Sequence, residues 1–462
     1  SAVHLALRLC EITGEEAYRE EAFQISEQSK SFALKRHLHH AFSAPQYGGE
    51  QRALWERDEA LRQDINKLEA EYLRTQDTLF LSQAARKRVE LWAFIQGLQD
   101  GNASGQRYYT ERFDTDVPSI QEIQQSLGAE EALIEFDVSL SQNLAFVITR
   151  GGVQVVRLKG LKEHAALIDE FDDLLRNNGA RFDSVSHRLY QKIFEPIKKA
   201  LPDGIRHLII VPDHKYWKIN FDALAVQAQP REYLLEDHVI SYSYSAAILH
   251  QLAKARESRR KKGHLGFFFG GYPEKDSLPS LDSLERKADS LSRALNMAKA
   301  YPEASSQHFA GALGDLDAAV LAVHGELGGR GDISGIHLVF PAAERRLFIQ
   351  EAYGLPMEGF HFLVLAVCDG AWGNFSRGEG ISSIARAFHY AGCPNLIAAQ
   401  MKARDDPSAD LMASFFKYLN EGFTYAEALK KAKVDTMKKA NFRSPIYWAP
   451  FICIGDGFSR YR

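Results

Sequence analysis

The chain has 462 residues, 45% hydrophobic and 25% charged, with a formal net charge of −4. That length predicts two to three domains with ample apolar surface to bury, and the charge balance excludes both a basic footprint for nucleic acid and an acidic tail. No run approaches the roughly 20 apolar residues of a bilayer span, and Cys10, Cys368, Cys393 and Cys453 form no CxxC or CxxH pair, which points away from a disulfide framework or zinc knuckle and fits a reducing cytoplasm.

Residues 1–45 carry two helical patterns around "TGEE", with Thr13 placed to cap the second helix and Gly14 suited to the turn. A hairpin of about 34 residues resembles a tetratricopeptide unit. The chain enters this pattern at Ser1 without a methionine, so it is expected to continue a longer protein. His37, His39 and His40 have no carboxylate or Cys at ligand spacing and read as a solvated helix end. In the segment 46–128, residues 50–99 are charged, almost free of Gly and Pro, and place Leu61, Ile65, Leu68 and Leu73 near heptad spacing. This predicts a long antiparallel helix pair, a coupler that carries no chemistry itself.

From about residue 129, "ALIEFDVS", "LAFVITR", "VQVVRLK", "HLIIVPD" and "HVISYSYSA" alternate with helical patterns, which predicts an α/β unit over 129–260. Past the basic stretch "RESRRKKGH", a second series over 261–462 contains "AVLAVHG", "GIHLVF", "HFLVLAVC", "PNLIAAQ" and "YWAPFICIG". The expected fold class is α/β, an N-terminal helical, repeat-like region followed by two stacked α/β units.

Two runs of the second series end in reactive side chains, His324 in "AVHG" and Cys368 in "AVCDG". Side chains at the carboxyl ends of parallel strands face the crevice where ligands bind. Imidazole can take a thiol proton, and thiolate is the species that attacks a carbonyl. Gly325 permits close approach of a substrate, and its N–H with that of Cys368 reads as an oxyanion hole. By residue type alone both side chains also fit a packed core, since free Cys is among the most buried residues.

The ordered set "AVHG", "LVLAVCDGAWG", "GEGISSIARAFHYAGCPNLIAA", "DDPSADLMASFFKYLNEGFTYAEALKKAK" and "YWAPFICIGD" resembles the CHAT domain, the caspase-like module often attached to tetratricopeptide repeats. "LIIVPDHKYWKINFDALA", "YLLEDHVISYSYSA" and "AFQISEQSKSFAL" extend the resemblance over nearly the whole chain. It implies the clan of cysteine peptidases that includes caspases, separase and gingipains, with a non-catalytic first unit and a catalytic second unit. His324 matches the family's "HG" histidine, Cys368 the cysteine of its "SAC-E-T-G" motif, and Glu379 sits in the following "GEG". Val367 before the cysteine, Asp369 in place of Glu, and "AAQM" in place of the "SLW" strand are departures. The implied activity is acyl transfer to water on a protein substrate, with no metal or organic cofactor. An activating protein or complex would act through the helical region, in a bacterial defence or cell-death circuit, without direct nucleic acid or membrane binding.

Asp405 falls where separase-like members carry an acid that pairs with a substrate arginine, so cleavage after a basic residue is expected, with Asp369 adding to the same negative potential and Glu379 also assigned to the substrate site. The other reading of Asp405 and Asp406 is capping of the helix near Pro407. Gly370, Gly373, Gly378 and Gly380 are expected to give the loop after Cys368 hinge freedom. Cys393 and Cys453 read as packing, Cys10 as the apolar side of the first helix, and Trp372, Tyr447 and Trp448 as cleft or core. The alternative for the whole chain is a catalytically inactive signalling scaffold.

Overall fold

The amino-terminal apolar spacing folds into helices α1 (Ala2–Thr13) and α2 (Ala17–Gln28). Gly14 turns the chain between them at φ +74°, and the Thr13 hydroxyl accepts the Glu15 N–H at 3.2 Å. This computed structural model describes the chain except residues 1, 29, 31–33, 35–47, 114–116, 256–263, 271, 273–282, 284–297, 328–335, 343–345, 368–369, 371–373, 377–379 and 462, so His37, His39 and His40 lie outside the described residues. The long charged segment forms α3 (Gly49–Thr75) and α4 (Thr78–Gln99), the second capped by Asp77, whose carboxylate accepts the Leu79 N–H at 2.9 Å. Only Gln76 and Asp77 link the two helices, Glu69 near that link pairs with Arg88, and Leu61 farther from it clusters with Phe94 and Leu98 toward the far end of α4. The pair is therefore antiparallel. Helices α5 (Ala103–Phe113) and α6 (Ile120–Ser126) lead into the sheet.

The first strand series comprises β1 (Glu131–Asp137), β2 (Gln142–Thr149), β3 (Gly152–Lys159), β4 (His207–Val211), the hairpin β5 (Ala225–Ala228) and β6 (Arg231–Tyr233), and β7 (Val239–Tyr242). The second comprises β8 (Leu265–Phe268), β9 (Ala298–Tyr301), β10 (Ala318–Leu321), β11 (His324–Leu327), β12 (Ile336–Val339), β13 (Arg346–Leu347), β14 (Phe362–Leu365), β15 (Asn374–Ser376), β16 (Gly380–Ser382), β17 (Asn395–Ala399) and β18 (Phe451–Gly455). Among the described residues, eleven of these form one sheet in the order β3-β2-β1-β4-β7-β18-β17-β14-β10-β8-β9. The two series therefore join edge to edge in one sheet; they are not stacked face to face. The last strand makes the join: β18 runs parallel to β7 and antiparallel to β17, so strand direction reverses there. Every residue of β18 is buried, as a strand covered on both faces requires.

Helices α7 (Leu161–Arg176), α8 (Phe182–Ile193) and α12 (Ile384–Tyr390) pack on one face through Phe171, Leu189 and Phe388. Helices α13 (Asp405–Asn420) and α14 (Tyr425–Lys438) cover the opposite face of the second series through Phe415 and Leu429. A capping box of Thr424 and Glu427 starts α14. The short helices α10 (Ser306–Ala312) and α11 (Ile349–Tyr353) flank β10 and β13, and α9 (Ala246–Ala255) follows β7.

Helix α2 is anchored to the sheet by buried charge. Lys30 Nζ donates to Glu135 Oε1 of β1 at 2.6 Å and to Ser26 Oγ at 2.7 Å, while Glu27 accepts the N–H groups of Ala246 and Ala247 at the start of α9 at 3.2 and 3.0 Å. Burial, reinforced by the charge of Glu27 and a hydrogen bond shared with it, raises the Glu135 carboxyl from 4.5 to about 8. Burial alone would lower Lys30, but Glu135, Glu27 and Asp213 outweigh it and hold the ammonium above its usual range. Burial also pushes the neighbouring Asp213 upward. Between 4.5 and about 8 the folded chain keeps a proton on Glu135 that the unfolded chain has lost. Stability therefore falls as pH rises through that window. Glu135→Gln imitates the protonated acid, and urea unfolding at pH 6 and pH 8.5 is expected to show a smaller pH dependence in the variant than in the wild type. An unchanged slope would assign it to another group.

Candidate active site

Parallel strands β10 and β14 are neighbours, with Leu321 opposite Leu365. The run "AVLAVHG" is not one strand, however. After Leu321 the Ala322 N–H donates to Phe268 O at 2.9 Å, and His324 opens β11, which pairs antiparallel with β12 in a separate small sheet completed by β13. His324 is 9% exposed. Its backbone N–H donates to the Tyr272 hydroxyl at 3.0 Å, the Tyr272 O–H donates to Val339 O at 2.6 Å, and the two rings lie 4.6 Å apart at 57°. Val339 is the residue opposite His324 in the β11–β12 register. Glu326, on the His324 face of β11 by strand alternation, approaches His337 Nε2 at 3.4 Å and Arg346 at 3.5 Å.

At the end of β14 the Ala366 N–H donates to Leu321 O at 3.0 Å, and Val367 is buried. The Gly370 N–H donates to Val367 O at 3.3 Å, and its carbonyl accepts the Ala385 N–H at 3.1 Å. Cys368, Asp369, Trp372, Gly373, Gly378 and Glu379 lie outside the described residues.

Asp405 is the first residue of α13, and its Oδ2 accepts the Ser283 N–H at 2.8 Å, while the Ser283 hydroxyl donates to Asp406 Oδ1. Arg404 extends its guanidinium over the Tyr447 ring, 5.9 Å from the centroid. In "AAQM", Gln400 is buried: its Oε1 accepts from Asn220 at 3.0 Å and its amide donates to Trp217 O at 2.6 Å. The departure from "SLW" thus supplies a polar tie to the first strand series. Cys393, Cys453 and Trp448 are buried in the core, and burial pushes the Cys453 thiol far up, as packing residues require. Among the described residues no group of three or more His, Cys, Asp or Glu is arranged to hold a metal ion, and no helix is long and apolar enough to cross a membrane.

Sequence reasoning did not single out Tyr272, although the "GGYP" after an apolar strand marks a close-packed turn. A Cβ on Gly270 would stand 2.8 Å from Glu303 N and 2.7 Å from Pro341 Cγ. Only glycine lets the chain leave β8 between those neighbours and deliver Tyr272 to β11 and β12.

A family model described as the CHAT domain matches residues 183–456, more than half of the chain, and spans strands of both series. The chain belongs to the CHAT domain family. This CHAT chain is similar in fold to two crystal structures of the Saccharomyces cerevisiae separase–securin complex, with TM-scores of 0.50 and 0.51 at 11% and 10% identity. The alignments cover 81% and 88% of this chain and 34% and 37% of the matched chains, so it spans about a third of their length. The Arg-specific cysteine proteinase gingipain R aligns with a TM-score of 0.41 at 13% identity, over 65% of this chain and 76% of its own. Comparison with curated proteins finds no match. The CHAT match and the separase likeness make the fold caspase-like: a mixed sheet with helices on both faces, preceded by amino-terminal helices.

Proposed function

We propose that this CHAT chain is a cysteine endopeptidase with Cys368 as nucleophile and His324 as its base. The carrying observation is the register of β10 and β14: Leu321 faces Leu365 in adjacent parallel strands, and His324 and Cys368 each follow that pair by three residues. In the reaction His324 takes the Cys368 thiol proton, and the thiolate bonds to the scissile carbonyl carbon. The N–H groups of Gly325 and Cys368 receive the oxyanion, a donor of this kind supplying about 3 kcal/mol. Collapse breaks the C–N bond as His324 returns the proton to the leaving amine. Water then attacks the thioester with His324 as base, releasing the acid and regenerating the thiol.

Asp405 is the proposed anchor for a basic side chain before the scissile bond, with Asp369 and Glu379 contributing negative potential. A guanidinium bound through both carboxylate oxygens would share Asp405 Oδ2 with the Ser283 N–H, since each oxygen has a second lone pair to offer. The contact between Arg74 of α3 and Glu351 of α11, at 2.6 Å, with Arg74 5.7 Å from the Phe348 ring, supports a route by which an activator bound to the helical region reaches β13 and the strands before it.

The test incubates the protein and Cys368→Ala with a peptide library and identifies cleavage sites by mass spectrometry. Cleavage after Arg or Lys by the wild type alone, reduced in Asp405→Ala, is the expected result. Equal patterns from wild type and Cys368→Ala would leave a scaffold without peptidase activity.

A further inference from the structure

We infer that Tyr272 is a positioning residue for this site, fixing the His324 imidazole and freeing the Gly325 N–H; the inference rests on the dyad reading above. A backbone N–H only donates and a carbonyl only accepts, so the roles of the Tyr272 hydroxyl are determined: it accepts from His324 and donates to Val339. One hydroxyl reaches both groups only if they point toward each other across β11 and β12. The hydroxyl therefore sits between the two strands, bridging the His324 N–H and the Val339 carbonyl.

Alternation along an extended strand then turns the next N–H, that of Gly325, to the opposite edge of β11, away from β12. That direction leaves it outside the ladder, as an oxyanion donor must be. The bridging hydroxyl also ties the strand pair together at its first rung, holding the backbone from which the imidazole projects. The phenol ring lies against that imidazole, 4.6 Å between centroids, and restricts its rotation about χ2. Removing only the hydroxyl lets His324 and Val339 close on each other, or leaves their polar groups without this partner. In either case the base moves relative to the nucleophile, and displacements of this kind lower turnover more than substrate affinity.

The test uses Tyr272→Phe, which keeps the ring, alongside His324→Ala and the wild type. Iodoacetamide alkylation of Cys368 is followed from pH 5 to pH 9 with site assignment by mass spectrometry, and kcat and KM are measured on the best library peptide. In Tyr272→Phe, kcat is expected to fall about tenfold with KM within twofold, and the low-pH onset of alkylation to move toward that of a free thiol, near 8.5. Wild-type turnover and alkylation in Tyr272→Phe, with alkylation altered in His324→Ala, would overturn the role of Tyr272 and leave the dyad standing. An alkylation profile unchanged in His324→Ala would overturn the dyad, and this inference with it. Thermal unfolding of Tyr272→Phe near the wild-type temperature is expected, because the aromatic packing is retained; a kinetic loss that tracked a loss of folded protein would also overturn the inference.

Discussion

His324→Ala is expected to lower kcat/KM by about 10²–10⁴-fold, the usual worth of a positioned acid–base group. The substitution removes the imidazole and leaves the backbone N–H that binds Tyr272, so the strand pair at β11 and β12 keeps its anchor. Residual activity has a characteristic pH dependence. Without the imidazole, thiolate forms only as the medium approaches the thiol's own range near 8.5, so the variant's kcat/KM should climb steadily from pH 6 to pH 9. The wild type, in which the imidazole takes the thiol proton, should climb less steeply over the same range. Measuring both profiles on one peptide checks the claim, and a variant that keeps more than about a tenth of wild-type activity at pH 7 would remove His324 from the chemistry.

What local pattern encodes was readable, and what depends on long-range pairing was not. The helix pair α3 and α4 follows from a run almost free of Gly and Pro, and the strands of the first series from β-branched residues between helical periods. The family was legible because several motifs occur in one order, a more specific signal than any single Cys or His. The break of "AVLAVHG" after Leu321 was hidden, since buried parallel strands and the first rung of a hairpin have the same apolar composition. The insertion of β18 between the series is a pairing choice that no window contains. Tyr272 meets His324 across 52 positions, and Ser283 meets Asp405 across 122. For Asp405, local reading offered only a cap or a free pocket acid, whereas the carboxylate already holds a backbone donor from a distant segment.

The other large effect concerns stability, at a buried pair no motif announces. Lys433 of α14 and Asp222, in the short turn Phe221–Ala223 of the first series, approach to 3.0 Å with side chains only 1% and 4% exposed. Burial pushes Asp222 up and Lys433 down, toward their neutral forms, and each partner's charge opposes that shift in the other. Such a pair adds little over a well-packed apolar replacement, but removing one member leaves the other charge uncompensated. Lys433→Met and Asp222→Leu are each expected to cost about 3–5 kcal/mol, and the double variant to recover most of that loss. A double-mutant cycle on urea unfolding checks this, and additive single costs would show the pair to be uncoupled. The consequence reaches the candidate site through packing. Helix α14 lies on the face of the sheet that holds Phe362 and Val364 of β14 and Ile397 of β17. Loosening its tie to Asp222 therefore releases the layer behind the strand that leads to Cys368, and the single variants are expected to lose peptidase activity in step with their folded fraction, while the double variant keeps it.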